Sequence, residues 1–127
     1  MLRCCLTLLV VGWACATSAP GQDQPSAIAT PEEAQFFEKQ IRPILAARCS
    51  ECHGDLKQES GLRVDSRAAL LKGGDSGPAI HEGQLEDSLL LRVISYGGDI
   101  QMPPQQKLPD EELALLTTWI RGGAAMP

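Results

Sequence analysis

The sequence predicts a small all-α domain. Apolar residues recur at helical spacing in the segments that begin near Thr30, Asp87 and Pro109. Helix-start chemistry stands at the head of those segments. No strand runs of the kind that build a βαβ unit accompany them. With 127 residues there is room for one such domain. Two Phe, two Trp and one Tyr are a thin aromatic supply for its core. Either Leu, Ile and Ala make up the apolar mass, or a large flat cofactor does.

Residues 1–16 have the pattern of a secretory signal peptide. Arg3 gives the positive start, and Leu6 to Ala14 is an apolar run too short to span a bilayer. Ala14-Cys15-Ala16 fits small-x-small cleavage, and Thr17-Ser18-Ala19 offers a second cleavage point at 19. Retention as an N-terminal anchor is the alternative. Lipidation at Cys15 is disfavoured by the Gly12 and Trp13 before it. Export is therefore expected, to the periplasm or another extracytoplasmic space, with no membrane attachment after cleavage. Cleavage removes Cys4, Cys5 and Cys15 and leaves Cys49 and Cys52 as the only thiols. Residues 17–29 are polar and read as a flexible linker, and residues 30–127 as the domain. The formal charge of −5 and the absence of a Lys/Arg run leave nucleic-acid binding without an electrostatic footprint.

Thr30-Pro31-Glu32-Glu33 opens the first helix as N-cap, N1 proline and capping-box glutamate. Phe37, Ile41, Ile44 and Leu45 give it an apolar face. Pro43 should end or kink it and start a new turn, which leads through Ala46, Ala47 and Arg48 into Cys49-Ser50-Glu51-Cys52-His53. That stretch is C-x-x-C-H, the attachment sequence of c-type haem. Residues three and four apart share a helix face. Cys49 and Cys52 can therefore reach two vinyl groups on one edge of the macrocycle, with His53 beneath the iron. A thioredoxin-like redox pair lacks its βαβ setting here. A zinc-stabilised interaction module would need further ligands, such as His81 or a carboxylate.

Gly61 to Ser66 reads as extended and then turning, with Asp65 or Ser66 capping a short helix through Leu71. Lys72 to Pro78 is a glycine-rich loop without phosphate-loop context. It is either a tight turn or a close backbone approach to the haem edge. Arg63, Arg67, Lys72 and Arg92 are candidate partners for haem propionates. Asp87 or Ser88 begins the next helix, with Leu89, Leu90, Val93 and Ile94 as an apolar stripe that builds core and can also line a haem face. Tyr96-Gly97-Gly98-Asp99 ends it.

Met102-Pro103-Pro104 presents a thioether on a stretch stiffened by two prolines. Haem iron is commonly held by His and Met in electron-transfer proteins, and the Met raises the potential. His81 and Met126 are the rival ligands. Pro109-Asp110-Glu111-Glu112 opens the last helix, with acidic groups at its positive end. Leu113, Leu116 and Ile120 form one row, Leu115 and Trp119 a second. Gly122-Gly123 stops it. Trp119 is expected to pack near Phe36 or Phe37.

These features together carry a family resemblance: Cys49 to His53, Met102-Pro103-Pro104 and L-x-x-L-x-x-W-I-x-x-G-A from Leu113 to Ala124. Phe37-x-x-x-Ile41-x-Pro43-Ile44-Leu45, Gly61 to Asp65, Gly73 to Pro78 and Ser88-Leu89-Leu90 add to it. The chain resembles class I cytochrome c, and more closely the planctomycete-type cytochrome c domain, from about Phe36 to Ala124. The resemblance implies a small class I fold wrapped around one haem c. It implies Cys49 and Cys52 as attachment points, His53 as proximal iron ligand and Met102 as distal ligand. In that family the domain usually heads a much longer protein, so this chain is either a stand-alone carrier or a fragment. Glu82-Gly83 stands where the family usually has Pro-Gly, which directs attention to His81. Pro109 stands where Ser or Thr is usual.

The expected function is one-electron transfer by a monomer that meets redox partner proteins, without enzymatic catalysis and without a catalytic acid or base. The alternatives are a haem-based ligand sensor, with Met102 displaceable or absent, and a haem domain serving a larger oxidoreductase.

Overall fold

The computed structural model describes residues 29–127. The expected signal peptide, and all but the last residue of the expected linker, lie outside the described residues. The described residues form helices joined by turns, with no strand among them; His53–Gln58 and Gly74–Gly77 are isolated bridges. None of these helices is long and apolar enough to cross a membrane.

Helix α1 spans Pro31–Phe36. The Thr30 hydroxyl accepts from the Glu33 amide at 3.2 Å, and the Glu33 carboxylate accepts from the Thr30 amide at 2.8 Å. This reciprocal pair is the predicted capping box. The chain then widens into a π-helical turn, Phe37–Ile41, and tightens again into α2, Arg42–Arg48. Pro43 is expected to end or kink the helix and start a new turn. It stands in the first turn of a new α-helical segment, which the chain reaches through a wide turn placed just before the proline. Pro43 has no amide to donate, and its ring crowds the carbonyl one turn back. Widening, with the Arg42 amide reaching back five residues to the Phe37 carbonyl, accommodates that defect.

Cys49 breaks the helix at φ −124° and ψ −40°, and α3, Ser50–His53, is a separate short turn. Gly54 ends it. A Cβ there would lie 2.5 Å from the Ser50 carbonyl oxygen, so any other residue forces the backbone apart. Helix α4, Arg67–Lys72, begins at Ser66, whose hydroxyl accepts from the Ala69 amide. Helix α5, Leu89–Ile94, follows a single 3₁₀ turn at Leu85–Asp87. Ser88 precedes α5 but does not cap it. Its hydroxyl, fully buried, accepts instead from the His81 amide at 3.1 Å and ties a loop to the helix start. Helix α6, Asp110–Arg121, is headed by Pro109 with three acidic residues in its first turn and no side-chain cap.

The core forms where the π turn, α5 and α6 meet. Phe37 and Ile41 from the π turn, Ile94 from α5, and Leu116, Trp119 and Ile120 from α6 are buried there. Burying such side chains supplies most of the favourable folding free energy. Trp119 also donates its indole N–H to the Ala125 carbonyl at 2.8 Å, which satisfies its one polar group. Among the described residues, aliphatic side chains therefore carry the core, around a single aromatic pair.

Candidate functional site

The element that delivers His53 is fastened at both ends. The Cys49 carbonyl accepts from the Cys52 amide at 3.2 Å and from the His53 amide at 2.9 Å, so the motif is one closed helical turn. On the far side the His53 carbonyl accepts from Val64 at 2.9 Å. Just before the motif, Arg48 makes a two-pronged pair with Glu112 of α6, both contacts 2.9 Å. The last helix thereby grips the chain immediately upstream of Cys49, and a planar guanidinium suits that bidentate grip.

Cys49 and Cys52 are free thiols and both are half-buried. Burial pushes the Cys49 thiol up to about 11, and the charge of Glu112 adds to the rise.

His53 opens onto a solvent-open cleft of about 100 Å³. Its walls are largely apolar: Leu62, Ala79, Leu89, Leu90 and Val93, with Ile100 and Met102 from the loop beyond α5. Ser60, Gly74, Asp75, Ser76 and Gly77 form the rest of the lining. The structure thus brings His53 and Met102 to one cavity, although 3₁₀, α4 and α5 segments separate them along the chain. Cys49 and Cys52 are not part of the lining; they stand on the turn that presents His53.

The residues fit the expected group. One cleft contains an imidazole and a thioether, a donor pair suited to haem iron. Its apolar walls suit a large flat macrocycle. The Nδ1 atom of His53 is buried without a hydrogen-bond partner, which is rare for a buried polar atom unless a ligand or another group completes it. Among the described residues no three His, Cys, Asp or Glu side chains converge to hold a bare metal ion, so the zinc-module alternative has no ligand set there.

The glycine-rich loop is a tight turn whose backbone packs closely on neighbouring protein backbone. A Cβ on Gly73 would sit 1.9 Å from the Gly77 carbonyl oxygen, and one on Gly74 would sit 2.3 Å from that of Ser60. The same loop then lines the cleft. Of the stripe on α5, Leu89, Leu90 and Val93 face the cleft while Ile94 lies in the core.

The four basic candidates for propionates all lie outside the cleft lining. Arg63 is paired with Asp65, and Arg67 with Glu82 at 2.8 Å. His81, the rival ligand, is exposed and also outside the lining; Met126 packs at the margin of the core. Sequence reasoning missed Ser60, Ala79 and Ile100, which enter the cleft from loops without periodicity. It also missed Tyr96, read only as a helix terminator: its hydroxyl donates to the Pro103 carbonyl.

Comparison with known proteins bears on the same stretch. A family model described as planctomycete cytochrome C matches residues 49–106. No curated protein and no solved structure matches the chain. The matched stretch begins at Cys49, runs past Met102 and includes the whole lining of the cleft. Covalently bound haem c is the cofactor that this family implies. Residues 49–106, somewhat under half of the chain, are similar to that family, a likeness that points to a haem-binding redox domain.

Proposed function

We propose that the chain is a one-electron carrier exported from the cytoplasm, with one haem c attached through Cys49 and Cys52 and held between His53 and Met102. The observation that carries this reading is the shared cleft: His53 and Met102 line the same apolar cavity. When bound, the haem supplies a one-electron iron couple.

The chain's own residues hold and tune that couple. Cys49 and Cys52 anchor the macrocycle on the turn that also presents His53. Met102 offers a soft, neutral sulfur, which favours the reduced iron and raises the potential. Leu62, Ala79, Leu89, Leu90 and Val93 keep water from the ring faces. The reading assigns no general acid or base. Export is supported by Arg3, the apolar run after it and Ala14-Cys15-Ala16.

Acid denaturation followed by the pyridine haemochrome spectrum tests attachment: the haem is expected to stay with the chain, and its loss would overturn the reading. Carbon monoxide added to the reduced folded protein tests ligation. Slow or absent binding is expected, whereas ready binding would favour a ligand sensor. Met102→Ala is expected to lose the near-infrared sulfur-to-iron band and to lower the potential. The mass of the mature N-terminus reads export directly.

A further inference from the structure

The loop that carries Met102 is fastened by very little. Between Gly98 and Leu108 a single backbone amide, that of Met102, donates a hydrogen bond to another backbone group; it goes to the Val93 carbonyl at 3.1 Å. Pro103 and Pro104 have no amide to give. Beyond Met102, this stretch can therefore be tied down through its carbonyls only if a donor comes from elsewhere. Tyr96 provides one. It stands just past the end of α5, with its backbone at φ 60°, and its phenolic hydroxyl donates to the Pro103 carbonyl. The two bonds bracket the methionine: Val93 holds its own amide, and Tyr96 holds the carbonyl of the next residue. Both anchors belong to α5 or its immediate end, the element that also forms a wall of the cleft.

We propose that Tyr96 is a positioning residue for Met102, and that its hydroxyl sets how readily an added ligand displaces the methionine sulfur. The proposal rests on Met102 being an iron ligand, as inferred above. Release of the sulfur requires the loop to move away from the cleft. A hydrogen bond made only with the loop in place favours the sulfur-bound state, and any ligand that must displace the sulfur sees its apparent affinity reduced by that preference. A left-handed backbone is uncommon for a tyrosine, and this one aims its ring at a loop that has lost two amide donors.

The test compares wild type, Tyr96→Phe and Ser95→Ala, all as haem-loaded protein. Ser95 donates to the Leu91 carbonyl at 2.7 Å at the same helix end, but has no bond to the Met102 loop. The readouts are the near-infrared sulfur-to-iron band, the affinity of the oxidised protein for imidazole, and that of the reduced protein for carbon monoxide. The proposal expects both affinities to rise about fivefold in Tyr96→Phe, the worth of one hydrogen bond, and to stay at the wild-type value in Ser95→Ala. Equal affinities in Tyr96→Phe and wild type would overturn it. So would an equal rise in both variants, which would mean general loosening of the helix end. A wild type with no sulfur-to-iron band would overturn the ligand assignment itself, and the role of Tyr96 with it. That outcome is visible before either variant is made.

Discussion

The rings of Phe37 and Trp119 meet with centroids 5.8 Å apart and planes tilted by 43°. Phe37 comes from the π turn ahead of Pro43, and Trp119 from the last helix. The contact joins the segments that precede and follow the Cys49–His53 stretch. The guanidinium of Arg42 lies 4.9 Å from the centroid of the same phenyl ring, a distance suited to cation–π attraction. Phe37 and Trp119 are 1% and 4% exposed, so neither ring can be cut back without leaving a cavity. Phe37→Ala is expected to lower the stability of the haem-loaded protein by about 3–5 kcal/mol. Denaturant unfolding followed by Trp fluorescence checks this, and a loss under about 1 kcal/mol would mean that the site collapses freely.

Ser88 gives a second, more local prediction. Its buried hydroxyl serves the His81 amide rather than the α5 terminus. Ser88→Ala should cost about 1–3 kcal/mol, the penalty for a buried donor left without a partner. The decisive readout is hydrogen exchange. The His81 amide should lose protection while the first amides of α5 keep theirs; the reverse pattern would restore Ser88 as a helix cap.

Gly74 tests the packing of the glycine-rich loop. An added Cβ would lie 2.3 Å from the Ser60 backbone oxygen and 3.0 Å from the Leu62 amide nitrogen. No flexible side chain can yield there, so Gly74→Ala should destabilise by about 1–3 kcal/mol. Because Ser60, Leu62 and Gly74 all line the cleft, the haem absorption band should shift as well. Gly83→Ala is the contrast. That glycine, unlike Gly74, has a positive φ, 79°, but its Cβ would meet open space, so only backbone strain is added and the band should not move.

Acid should weaken three exposed ion pairs. Hydrogen bonds from Arg42, Lys57 and Arg63 hold the carboxyls of Glu38, Glu59 and Asp65 below their ordinary values. A lowered folded-state value means stability that is fully present above the ordinary carboxylate range. It is lost as pH falls through the lowered values. Carboxyl NMR titration should find each of these three protonating below its own ordinary value, and added salt should bring each back towards it because the pairs are exposed. If each titrates at its ordinary value, the pairs do not persist in solution.

The sequence by itself determined the elements and the chemistry. The capping box at Thr30, the acidic turn at Asp110 and the apolar spacing between them are local properties, set by backbone donors and helix periodicity, so the all-α class was legible. The five residues from Cys49 to His53 announce their chemistry through spacing within one turn, and that stretch lies in the matched family region. The meeting of His53 and Met102 could be expected only by analogy, because nothing in the intervening residues states that a helical turn and a loop close on one cavity. Tertiary structure alone decided what depends on distant backbone. Pro43 is absorbed by a π turn because the helix is worth more continued than broken once Phe37 and Ile41 are buried against α6. Ser88 turns away from its own helix because a buried amide elsewhere needs its oxygen. Arg63 and Arg67 go to carboxylates rather than to the cleft, since surface charges choose partners by proximity in space. Tyr96 reaches Pro103 for the same reason: a carbonyl that folding leaves half-buried accepts the donor that the fold brings beside it.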